Sequence, residues 1–271
     1  MMAVPYSVFP YTNVTPQEAC ICEPVSCVIH SVETVNPQFG DACVIIGAGI
    51  MGLLHTQLCV KKGCFVIVVD MNEERLEMAA SMGAHYTINP HKEHAEKRIM
   101  KITHGRKARA VFDTTPAASV VEEACRYVGN MGKLMIYSGI YPNKPVQMDA
   151  HWIHKGSIQI LGTANSNDRD FMRAACMISE GIIDVKPFIS GVYPVEEVSS
   201  ALASSGFRML STPSLINVPF TGSIFTSFVL GTCFAQTTIF ITYPPHPIFS
   251  LLSKNMICNY HPLDFRCTFI N

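Results

Sequence analysis

DACVIIGAGIMGLLHTQLCVKKGCFVIVVD, residues 41–70, decides the fold. Cys43 to Ile46 is a short apolar run that ends in Gly47-Ala48-Gly49-Ile50-Met51-Gly52, and Phe65 to Val69 is a second run that ends in the carboxylate of Asp70. Strand, glycine-rich turn, helix, strand and acid in that order form the fingerprint of a dinucleotide site. Gly47 lets the chain turn tightly, Gly49 lets backbone approach a pyrophosphate, and Gly52 lets the helix pack closely on the sheet. The pyrophosphate would sit on the free N–H groups of the helix N-terminus, where the dipole favours negative charge. Asp70 stands where a carboxylate accepts the adenosine ribose hydroxyls. The same charge repels a 2′-phosphate, so NAD is favoured over NADP, although Arg75 nearby could accommodate that phosphate. The bland readings are a polar strand end for Asp70 and a solvated helix residue for Arg75.

Outward from this unit, strands alternate with helices. His85 to Asn89, Ala110 to Asp113, Lys133 to Tyr137 and Ser157 to Leu161 read as strands three to six. Glu73 to Met82, His91 to Thr103, Ala117 to Val128 and Arg169 to Glu180 read as helices, most of them stopped by a glycine, and Val195 to Ser205 as another. This alternation predicts an α/β fold with a doubly wound parallel sheet, and a ligand across the carboxyl ends of its strands. Upstream, Ala19 to Val35 reads as one apolar helix with Pro24 in its first turn, closed by the turn cluster Asn36 to Asp41.

The chain has 271 residues, a net charge of −1 and no basic patch with interleaved aromatics, so nucleic acid is not an expected partner. Its eleven cysteines form no CxxC pair. Cys43, Cys59, Cys125 and Cys176 lie in apolar runs, where reduced thiols behave as small buried hydrophobes. The N-terminus lacks the charged and apolar regions of a secretory signal, which points to the cytoplasm. From Met209 to Ser253 there is no Asp, Glu, Lys or Arg.

The ordered motifs resemble the zinc-type medium-chain dehydrogenase/reductase family, especially its sorbitol and threonine dehydrogenase-like branch. They are Glu23-Pro24-Val25-Ser26-Cys27-Val28-Ile29-His30, the turn Pro37 to Asp41, Val44 to Leu54, Val69-Asp70-Met71-Asn72-Glu73-Glu74-Arg75-Leu76, Met82-Gly83-Ala84-His85, Asp113-Thr114-Thr115, Gly132-Lys133 and Tyr193-Pro194-Val195-Glu196-Glu197. The resemblance covers about residues 3–207. It implies hydride transfer between NAD(H) and a secondary alcohol or polyol, or its carbonyl, with a zinc ion polarising the substrate oxygen. It assigns Asp70 and Arg75 to the adenosine side, Met51 to the fingerprint contact, and Ser138, Gly139, Thr163 and Ala164 to the nicotinamide side. Glu23 would stand in or beside the zinc site, and His30 is the candidate on the nicotinamide side. A homodimer or homotetramer through Val146 to Leu161 is implied as well.

Two departures accompany the resemblance. The family's Cys, its His-Glu pair and its four-cysteine lobe are not present, and Glu23 alone cannot hold a zinc, which needs about three protein ligands. The tail from 209 onward resembles nothing in the family. The expected organisation is therefore a remnant of the catalytic domain over 1–35, a Rossmann domain over 36–165, dehydrogenase helices over 166–208 and an atypical apolar tail over 209–271. For that tail a translated piece of a truncated or frame-shifted gene, a β-rich segment held by a partner, and a membrane segment are the three readings, in that order. The alternative to a dehydrogenase is a non-catalytic NAD-binding module or a truncated gene product. A zinc-independent reductase using Tyr137, Ser138 or His30 is a weaker third. His91 with His94, and His151 with His154, are spaced one helical turn apart and read as structural rather than metal-binding.

Overall fold

The computed structural model describes residues 13–194 and the backbone of two strands further along, Thr238–Ile241 and Arg266–Ile270. The helix expected over Val195 to Ser205 and most of the 209–271 tail lie outside the described residues. Cys22–Asp184 belongs to one compact unit, and Val14–Ile21 with the strands beyond Val185 to another.

In the larger unit, α2 (Cys22–Val35) leads into β1 (Ala42–Ile46), α3 (Ile50–Lys61), β2 (Phe65–Val69), α4 (Glu73–Ser81), β3 (Tyr86–Ile88) and α5 (Ala95–Ile102). There follow β4 (Ala108–Asp113), α6 (Ala118–Ala124), β5 (Val128–Ile136), α7 (Ala150–Gly156), β6 (Gln159–Gly162) and α8 (Asp168–Ser179). The six strands are all parallel, in the order β3-β2-β1-β4-β5-β6. Chain order reverses between β1 and β4, which is the switch point where such sheets bind ligands. Both faces of the sheet are covered, so Val44, Ile45, Val66, Ile67, Val68 and Val111 are 0% exposed. Continuous apolar strands are what a doubly covered parallel sheet requires. Each fully buried Val or Ile contributes roughly 1.5–3 kcal/mol.

The smaller unit contains α1 (Pro16–Ala19), capped by Thr15 and Glu18 in a reciprocal box, and β7 (Ile189–Pro194). Antiparallel pairing joins β7 to β9 (Arg266–Ile270), and β9 to β8 (Thr238–Ile241).

Four local expectations need correction. The helix begins at Cys22, not Ala19; Pro24 has no N–H to donate back toward Cys20, so a continuous helix through that point lacks a bond. The helix over His91 to Thr103 starts only at Ala95. Asn89 accepts from the His91 N–H at 2.9 Å and donates to the carbonyl of Met71 at 3.1 Å, which holds the following residues in a turn. His91 and His94 therefore do not share a helical face. Gly129 to Gly132, the glycine-bearing segment that stops the helix read over Ala117 to Val128, lies inside β5, as an excursion between the pairings Ala108↔Val128 and Ala110↔Lys133. Cys176 is exposed on α8, whereas Cys43 and Cys59 are buried and Cys125 is half-buried.

Candidate functional site: the carboxyl edge of the sheet

Val69, Ile46, Asp113, Ile136 and Gly162 form one register row across β2, β1, β4, β5 and β6. The residues just beyond that row, Asp70, Gly47, Thr114, Tyr137 and Thr163, therefore line one edge. Most of the residues singled out for a cofactor lie here or within the next few positions of the chain.

Gly47 has φ +93°, a left-handed backbone that non-glycine residues adopt rarely, and an added Cβ would lie 2.7 Å from Thr114 Oγ1. At Gly52 an added Cβ would lie 1.8 Å from the Gly47 carbonyl oxygen, so no other residue fits without moving backbone. Gly49 is different: a Cβ there meets nothing within 4 Å. Gly49 is the N-cap of α3 and no side chain caps that helix. The first N–H groups of α3 are thus left without a side-chain acceptor beside open space, which suits an anion.

Asp70 closes the far side of this loop. Its Oδ2 accepts from the Ala48 N–H at 2.6 Å and its Oδ1 from the Asn72 N–H at 2.8 Å. Arg75 lies half-buried in the first turn of α4, where its N–H donates to Asn72 Oδ1 at 3.1 Å. Met51 is the second residue of α3, and its Sδ accepts from the Tyr137 hydroxyl at 3.4 Å. Ser138 donates to the Thr114 carbonyl at 2.9 Å, which ties the loop after β5 to the loop after β4. Gly139 and Ala164 are exposed. The Thr163 hydroxyl oxygen is buried without a hydrogen-bond partner, an uncommon state for a buried polar atom and one a bound group would relieve. A filled-in backbone cradle, an open Gly49 and this unpartnered hydroxyl together fit a dinucleotide along the edge.

Two residues of this edge were not singled out from the sequence as site residues. Thr114 donates to the Ile46 carbonyl at 2.8 Å and forms the wall against Gly47 and Gly52. Asp113 is wholly buried; its Oδ1 accepts from the Thr115 N–H and hydroxyl at 3.0 and 2.7 Å, while Oδ2 has no partner. Burial pushes its carboxyl up to about 6. An acidic residue ending an apolar strand at the switch point was the available signal. His55, also fully buried, bridges helices: Nδ1–H donates to the Met51 carbonyl at 2.7 Å and the Ser31 hydroxyl donates to Nε2 at 3.0 Å. A carbonyl can only accept, so that bond assigns the tautomer. Burial holds the imidazole neutral, down to about 4.

Glu23 and His30 lie on α2, the helix that also carries Ser31. Cys27 donates to Glu23 Oε1 at 3.3 Å, and burial raises the Glu23 carboxyl above its usual range. His30 Nδ1 bonds Asp170 Oδ2 at 2.8 Å. A zinc site needs about three converging ligands, and among the described residues no three His, Cys, Asp or Glu side chains could hold a metal ion. The described residues alone do not fit zinc. That includes His151 and His154 on α7. Of the other candidates, Tyr137 donates to Met51 Sδ, Ser138 to the Thr114 carbonyl, and His30 bonds Asp170. No helix among the described residues is long and apolar enough to cross a membrane.

Residues 51–180 match the family model described as zinc-binding dehydrogenase. D-arabinitol dehydrogenase 1 of Uromyces fabae is 30% identical over 206 residues, covering 74% of this chain and 58% of that protein. The chain spans just over half the length of the curated relatives it matches. An Escherichia coli CFT073 alcohol dehydrogenase, solved with NADH, superposes with TM-score 0.66 at 22% identity over 74% of this chain and 58% of that one. A Sinorhizobium meliloti 1021 protein solved with NADP gives TM-score 0.64 at 21% identity over 71% and 56%. At these identities the two structures establish the fold alone. With the family model and the relatives together, the chain belongs to the zinc-type alcohol dehydrogenase family of medium-chain dehydrogenases.

Proposed function

We propose that this chain binds NAD(H) along the carboxyl edge of its sheet and supplies the cofactor half of an alcohol or polyol dehydrogenase. The observation that carries the reading is the open, uncapped start of α3 at Gly49, with the Asp70 carboxylate beyond it. In this reading the α3 N–H groups hold the pyrophosphate, and Gly47 and Gly52 keep the backbone close enough to reach it. Asp70 accepts from the adenosine ribose and Arg75 lies beside it. Met51, Ser138, Gly139, Thr163 and Ala164 border the nicotinamide. The bound nicotinamide supplies hydride exchange with a secondary alcohol or its carbonyl. The zinc expected of the family would draw on Glu23 only together with ligands beyond the described residues. By the same family ground we place the protein in the cytoplasm, as a homodimer or homotetramer.

Titration of the purified chain with NADH and NADPH, followed by cofactor fluorescence, tests this reading. NADH is expected to bind at least tenfold more tightly, and Asp70→Ser to narrow that ratio. Absence of NADH binding, or a preference for NADPH, overturns it. The second reading is a non-catalytic NAD-binding module. It is favoured by the Glu23 carboxylate, which accepts from Cys27 and belongs to no metal-ligand set among the described residues. Zinc-supplemented assays with sorbitol, threonine and simple alcohols separate the two. Little or no turnover is expected of the chain alone, and turnover at an ordinary enzymatic rate defeats the module reading.

A further inference from the structure

Helices α2, α3 and α8 leave a groove of about 560 Å³ between them. That volume falls in the range of roughly 300–1,000 Å³ typical of small-molecule sites. Its floor is aliphatic, built from Ile29, Val32, Leu58, Met172, Met177 and Ile182. Met172 is 56% exposed and Ile182 43%, so the apolar surface reaches solvent. Contiguous apolar surface with a polar rim marks an interaction site more often than scatter does. The methionine side chains can shape themselves to an irregular occupant.

The rim carries three cations, Lys61, Lys62 and Arg173, against one acid, Glu33. Glu33 is already engaged: Arg173 Nη1 donates to its Oε2 at 2.7 Å. That bond, with the charges of Arg173, Lys62 and Arg169 behind it, holds the Glu33 carboxyl below its usual range. Lys61 and Lys62 make no ion pair among the described residues. Lys61 ends α3, where the helix dipole offsets part of one charge. An excess of positive charge remains beside an apolar trough, and its complement is an anion with an aliphatic tail.

We propose that this groove binds a medium-chain alkyl carboxylate, its tail on the methionine-bearing floor and its head group against Lys61 and Lys62. The groove shares no residue with the glycine loop or Asp70, so its ligand binds independently of the cofactor.

Calorimetric titration of the full chain with decanoate, below its micelle concentration, tests the proposal, with decanol as the uncharged counterpart. Decanoate is expected to bind at one site. Decanol should bind at least tenfold more weakly, as should decanoate to the Lys61→Glu/Lys62→Glu variant. Met172→Glu should also lose decanoate, while NADH titrations of all variants stay at the parent value. Lys61 is exposed and Lys62 half-buried, and an unchanged circular dichroism spectrum establishes that the variant is folded. No decanoate binding, equal affinity for decanol, or indifference to the lysine substitutions overturns the proposal. A parent dimer that excludes decanoate and is dispersed by Met172→Glu, seen by sedimentation, also overturns it and assigns the groove to a second copy.

Discussion

At the carboxyl edge, an added Cβ on Gly52 would lie 1.8 Å from the backbone oxygen of Gly47. Along the α2–α8 pair, by contrast, His30 meets Asp170 across 140 positions of sequence and Ser26 meets Ser166 across another 140. The first region is specified by backbone geometry, which admits few residue types and leaves its mark in a short motif. The second is specified by side-chain pairs that exist only once two distant helices pack. Backbone-specified sites should fail abruptly on substitution. Pair-specified contacts should weaken by amounts that follow burial.

The glycines give the sharpest test. Gly52→Ala should cost about 3 kcal/mol or more, the upper end of overpacking, because the obstructing atom is backbone. Guanidinium unfolding measures that loss, and NADH binding should vanish with it. Gly49→Ala, whose Cβ meets nothing, should stay within about 1 kcal/mol of the parent. It should nonetheless weaken NADH tenfold or more by covering the phosphate seat. A Gly49→Ala protein that binds NADH normally would remove the distinction between a packing glycine and a ligand glycine.

Next in size is an opposed pair of titrations. Asp113, raised to about 6 from 3.8, holds its proton more tightly when folded, so its contribution to stability falls as pH rises through that window. His55, lowered to about 4 from 6.5, takes its proton more readily when unfolded, so its contribution is lost as pH falls from 6.5 towards 4. Each is worth on the order of 3 kcal/mol, with opposite sign over nearly the same range. The parent should therefore show a shallow dependence from these two groups. Asp113→Asn should expose the rising His55 slope, and His55→Gln the falling Asp113 slope. Urea unfolding at half-unit steps from pH 4 to 7 reads both. Parallel slopes in the two variants would show that the burial of one group has been misassigned.

The parallel sheet, its strand count and the loop carrying Gly47, Gly49, Gly52 and Asp70 were legible because periodicity and left-handed or crowded backbone restrict composition directly. Thr114 was visible only as part of a strand end, since its contact with Gly47 joins positions 67 apart. His55 sits in an apolar helix whose pattern gives no sign that Ser31 will supply its second bond. The helix expected from His91 was helical by periodicity, but Asn89 bonded across to Met71, and that tertiary anchor overrode local preference. Cys176 was expected inside because its neighbours are apolar. On α8 the helical rotation that buries Ala174 and Ile178 turns Cys176 outward.

The smallest effects test the helix pair against itself. Asp170 is 3% exposed, accepts from His30 and closes the capping box with Asn167 at the start of α8. Asp170→Asn should cost about 1–2 kcal/mol, because Oδ2 takes both bonds and a neutral amide oxygen is a weaker acceptor there than a carboxylate oxygen. Glu33 joins the same two helices through Arg173 at 2.7 Å, but the two side chains remain 51% and 34% exposed. Solvent screens that pair, so Glu33→Gln should cost less than about 1 kcal/mol and lose most of that in molar salt. Paired urea titrations at low and high salt decide the matter. If Glu33→Gln costs as much as Asp170→Asn in both, burial does not rank the contacts of this interface. The α2–α8 pair would then be held by the geometry of its crossing, as the glycine edge is, rather than by its partners.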